Sequence, residues 1–63
     1  MKEQEIIPGT PVRYWSVITS TGERYNPTDT TITSAVWHVG AGHPVCNVEG
    51  ISGCVSINHL EKL

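Results

Sequence analysis

Basic residues are scarce in this chain. Lys2, Arg13, Arg24 and Lys62 are the only four, they are scattered, and the formal charge is −2. Nucleic-acid binders draw most of their affinity from clustered Lys and Arg that neutralise phosphates, so no nucleic-acid partner is expected. Long apolar runs are missing as well. After Met1-Lys2-Glu3-Gln4-Glu5, only Ile6 and Ile7 precede Pro8. A secretory signal needs about 7–15 apolar residues and a membrane helix about 20. Neither a leader nor a membrane association is expected, and the sequence reads as cytoplasmic. In a reducing compartment Cys46 and Cys54 are expected to be free thiols.

Several motifs are absent. No stretch holds apolar residues at i, i+3, i+4 and i+7 over three turns, so no long helix is predicted. Gly40-Ala41-Gly42 and Gly50-Ile51-Ser52-Gly53 do not open helices and lack a following Lys, so they are hairpin turns rather than phosphate cradles. Asn26-Pro27-Thr28 has Pro where a glycosylation acceptor forbids it. No Cys-x2-Cys pair announces a zinc site.

What the chain does have is branched residues. Valine, isoleucine and threonine make up twenty of the 63 positions. Such side chains fit a pleated sheet and lose freedom in a helix. Gly and Pro punctuate them, as in small all-β domains. Residues 1–8 read as a flexible, disordered N-terminal tail ending at the Pro8-Gly9 turn, and residues 9–63 as a single domain. Strands are predicted over 10–18, 31–39, 44–49 and 54–57, with a short fifth over 59–63. The polar stretch 19–30 (TSTGERYNPTDT) reads as one long loop, a kind of segment that often carries function.

Within VCNVEGISGCVSI, placing Ile51-Ser52 at the tip puts Cys46, Val48, Val55 and Ile57 on one face. Asn47, Glu49, Cys54 and Ser56 take the other. One face is apolar and the other largely polar, the pattern of a half-buried antiparallel pair. The two cysteines then point apart, which argues against a disulfide. The predicted core is Val12, Tyr14, Ile32, Val36, Trp37, Cys46, Val48, Val55, Ile57 and Leu60. Val36 and Trp37 cannot both point inward unless a bulge intervenes.

This order of strands, with Val55-Ser56-Ile57 and then His59-Leu60-Glu61 at the close, resembles an SH3-like barrel of four or five antiparallel strands over about residues 9–63. The resemblance implies a small all-β barrel and no particular function. Val55-Ser56-Ile57-Asn58 after Cys54 is also similar to the Val-Gln-Ile-Tyr strand of plasmid-borne type II dihydrofolate reductases. In that family the Gln and Tyr contact cofactor and substrate; here Ser56 and Asn58 stand in their places. The segment from Trp37 to Leu63 looks like small proteins of phages and mobile elements.

Three readings of function follow. The leading one is a non-enzymatic interaction module that binds a protein partner or itself, with no cofactor. If Val12 and Tyr14 face inward, Arg13 and Trp15 face outward, and Trp and Arg are enriched at binding hot spots. Glu23, Tyr25 and Asp29 in the long loop extend that surface, which suits a proline-rich ligand. The second reading is a zinc-stabilised domain built on His43, Cys46, Cys54 and His59, thiolate and imidazole being the ligands zinc favours. It answers a real shortfall, because a core of this size rarely supplies more than about 3–5 kcal/mol. The third is a minimal oligomeric enzyme with a pore at its symmetry axis. A nucleophilic pair of Cys54 with a His is a separate, generic candidate that no orienting motif supports.

Overall fold

Alternation sets the first strand. In β1 (Pro11–Ile18) Val12 is fully buried and Tyr14 packs on the core, so Arg13, Trp15 and Val17 take the opposite face. The computed structural model describes residues 1–63 as an all-β chain. The remaining strands are β2 (Arg24–Thr31), β3 (Trp37–Val39), β4 (His43–Cys46), β5 (Val55–Ser56) and β6 (Leu60–Lys62). They form two three-stranded antiparallel sheets, β2-β1-β6 and β3-β4-β5. Both sheets are open, so the expected closed barrel of four or five strands is replaced by six strands in two sheets. No helix is long and apolar enough to cross a membrane.

The predicted loop over 19–30 is mostly strand. Residues 24–31 pair with β1 from Ile18↔Arg24 to Pro11↔Thr31, leaving residues 19–23 as the hairpin turn. The stretch hides its nature because β2 is an edge strand exposed along most of its length, so no apolar alternation marks it. Pro27, which has no N–H to give a ladder, is tolerated there because edge strands need not donate outward. Asn26 takes a left-handed φ of 56°, which Asn accepts more readily than most residues. The register is the same on both sides of it.

The predicted strand over 31–39 is interrupted. Ile32 bridges Val48, and Trp37 pairs with Val45, so residues 33–36 face only residues 46–47. The surplus bulges out. Ser34 Oγ accepts the Asn47 N–H at 2.9 Å, replacing a backbone partner. After the bulge Val36 packs on the core and Trp37 turns outward at 38% exposure, so Trp37 is not the core residue the sequence suggests.

The β4–β5 hairpin keeps the predicted faces. Cys46 pairs with Val55, and Cys46, Val48, Val55 and Ile57 are all buried while Cys54 is exposed. Its register lies two residues from the predicted one, which preserves parity and therefore the sidedness of every side chain. Gly50 and Gly53, both at φ 80°, make the turn. Ile57–His59 forms a 3₁₀ turn capped by Ser56 Oγ, which accepts the Asn58 N–H. β6 then pairs with β1 from Tyr14↔Leu60 to Val12↔Lys62.

Residues 1–8 are not a disordered tail. Glu3–Glu5 forms a 3₁₀ turn, and Ile6 is buried within the core cluster beside Val12, Ile32 and Leu60. Met1 packs on the same cluster, and its amino group donates to the Leu60 carbonyl at 3.2 Å. Glu3 also reaches His38 on β3, Oε1 to Nε2 at 2.8 Å. The segment thus ties the two sheets together.

Candidate partner-binding face

Odd-numbered residues of β1 and β2 share the sheet face turned away from the core. Three cross-strand pairs line it: Arg13↔Asp29, Trp15↔Pro27 and Val17↔Tyr25. All five residues expected to bind a partner, Arg13, Trp15, Glu23, Tyr25 and Asp29, come together on this ribbon. The hairpin does this because antiparallel pairing places opposed side chains within about 4.5–5.5 Å at Cβ. Val17 and Pro27 complete the face. Sequence reasoning misses Pro27 because its membership appears only once residues 24–31 are known to be a strand, whereas the alternation of the predicted 10–18 strand already places Val17 beside Arg13 and Trp15.

The polar groups hold each other. Arg13 Nε donates to Asp29 Oδ1 at 2.7 Å and Nη2 to Oδ2 at 3.3 Å. The hydrogen bond from Arg13 holds the Asp29 carboxyl below its usual pKa, and the same bond raises that of Arg13. Tyr25 donates its hydroxyl to Glu23 Oε2, and Thr21 Oγ1 donates to Glu23 Oε1 at 3.1 Å. The Tyr25 bond lowers the Glu23 pKa and raises that of Tyr25. Glu61 pairs with Arg13 from the β6 side, so at this end of the face one cation stands between two carboxylates, Asp29 and Glu61, while Glu23 lies at the turn end beside Tyr25.

The apolar part is graded. Tyr25 is 48% exposed and Val17 42%. Trp15 is only half-buried rather than fully displayed. Its carbonyl accepts from His59 Nδ1 at 2.7 Å, and the His59 ring centroid lies 6.0 Å from that of Tyr14. The Trp15 indole Nε1 is buried and has no hydrogen-bond partner. An unpaired buried donor costs about 1–3 kcal/mol, so this ring is held by packing and not by its polar edge.

The zinc residues do not converge. No group of three or more His, Cys, Asp or Glu side chains is gathered for a metal. Cys46 lies in the core, where burial raises its thiol pKa. Cys54 and His43 are exposed, and His59 is engaged at Trp15. The reductase-like segment is divided as well: Val55-Ser56 is strand, while Ile57-Asn58 already belongs to the 3₁₀ turn, so it is not one continuous strand. No protein-family model, no curated protein and no solved structure matches the chain.

Proposed function

We propose that the protein is a non-enzymatic interaction module whose β1–β2 outer face binds a protein partner, and that its strand order is an opened form of the SH3-like arrangement. The observation that carries the reading is the row of pairs Arg13–Asp29, Trp15–Pro27 and Val17–Tyr25 on one face. An aromatic and apolar strip rimmed by partly neutralised charge is what interface centres are made of, since Tyr, Trp and Arg dominate hot spots. The ligand suited to it is an extended, proline-rich segment. Such segments are pre-ordered and dock on aromatic-lined surfaces at little entropic cost. The excess of carboxylate over guanidinium favours a segment that also carries a basic residue. Arg13 is already paired with Asp29 and Arg24 points its Nη2 to the Asn58 carbonyl at 3.4 Å, which leaves little free cation for a phosphate backbone.

The test is capture from nuclease-treated lysate of the native host, run in parallel with wild type and Tyr25→Ala. Tyr25 is exposed enough that its truncation leaves the core intact. A stoichiometric partner held by wild type and lost, or weakened about tenfold or more as for a hot-spot residue, in the variant supports the reading. A partner bound equally by both proteins moves the binding surface elsewhere and overturns it.

A further inference from the structure

The two open sheets leave four edges, and three of them are guarded. β2 carries Arg24 and Asp29, with Pro27 and the left-handed Asn26 between them. β6 carries Glu61 and Lys62. β5 is two residues long and runs directly into the 3₁₀ turn. Charges, Pro, kinks and brevity are the devices by which edge strands avoid pairing with other chains. β3 is brief too and follows the bulge over residues 33–36, but alone among the four it carries neither Pro nor a formal charge and does not run straight into a helical turn. Its residues Trp37, His38 and Val39 are all exposed, with no neighbour on the side away from β4. Between Asp29 and Glu49 the chain contains no Asp, Glu, Lys or Arg at all, so the whole β3–β4 hairpin is free of formal charge.

We propose that β3 is a self-association edge, pairing antiparallel with β3 of a second copy of this chain across a two-fold axis at His38. The occupant is a second copy because this strand complements itself. The axis at His38 sets Trp37 of one copy opposite Val39 of the other, twice, and aromatic with β-branched is a favourable cross-strand pair. Both residues lie on the sheet face away from the core, where Val45, the partner of Trp37 within the hairpin, is buried yet outside the core cluster. The contact therefore extends an apolar patch already begun. Each His38 Nε2 is already engaged by Glu3 Oε1 of its own copy at 2.8 Å, so neither imidazole that meets at the axis needs a partner from the other copy. A two-fold dimer is closed and consumes the open edge in one step. The result is one six-stranded sheet, β5-β4-β3 continued by β3-β4-β5 of the second copy. This surface is separate from the β1–β2 face, and either assignment can fail without the other.

Sedimentation of the full chain over a concentration series tests the proposal, with Val39→Lys and Trp37→Glu as edge variants and Val17→Lys as a charge control on the β1–β2 face. The 6.9 kDa monomer should give way to dimer as concentration rises. Both edge variants should weaken the dimer about tenfold or more, since a charge on an edge strand blocks pairing, while keeping the wild-type circular dichroism of the monomer. Val17→Lys should dimerise as wild type does. Wild type that stays monomeric up to about 1 mM overturns the proposal. So does a dimer that Val17→Lys breaks and folded edge variants leave intact.

Discussion

Cys46 and Cys54 sit in one hairpin and meet opposite environments. Cys46 is fully buried against Val55 and behaves as a small core hydrophobe; Cys54 faces solvent one position along. Burial holds the Cys46 thiol above its ordinary pKa, which keeps it in the unreactive protonated form. A thiol-specific reagent at neutral pH should therefore label Cys54 in the folded protein and reach Cys46 only after denaturant is added. Mass mapping of the labelled sites checks this. Rapid native labelling of Cys46 would mean that the β4–β5 hairpin opens on its own.

Among the elements, the N-terminal segment makes the largest difference to how the molecule holds together. Its 3₁₀ turn is too short to be stable alone, since helical turns gain little until several are propagated. It persists because Ile6 enters the core and Glu3 reaches β3. Truncating a buried Ile to Ala typically costs about 2–5 kcal/mol. Ile6→Ala should thus lower the melting temperature markedly, whereas Ile7→Ala, at 59% exposure, should leave it nearly unchanged. Thermal denaturation followed by circular dichroism distinguishes them. Equal, small effects from both substitutions would return residues 1–8 to the status of a loose tail.

The whole molecule is close to the minimum that folds. Nine of 63 residues are buried, and eight of those form one cluster fed by both sheets and the N-terminal turn. A single core at this size supplies about 3–5 kcal/mol, comparable to the loss from one large-to-small change in its centre. Leu60→Ala, at the fully buried junction of β6 with β1, should leave the chain largely unfolded at 25 °C. Urea titration checks this: a cooperative transition with a midpoint near that of wild type would show that the core has more to spare than its size implies. If β3 pairs between copies, wild-type stability also rises with protein concentration, because association stabilises only the folded form.

The sequence by itself determined which residues want a sheet and which faces they show. Branched side chains exclude a long helix, and period-two alternation gave Val12 and Tyr14 one side of β1 and Arg13 and Trp15 the other. The apolar face of Cys46, Val48, Val55 and Ile57 was legible although the register was displaced, because a two-residue shift conserves sidedness. Whatever lacked an apolar period was invisible to that logic. β2 is exposed along most of its length, so only its pairing with β1 makes it a strand, and that pairing creates the continuous Arg13-to-Tyr25 face. The inward turn of Ile6 depends on a gap between two sheets that no local pattern describes. The outward turn of Trp37 depends on a bulge opposite residues 46–47. Tertiary structure decided these points because pairing partners and the space between sheets are set by residues distant in the chain.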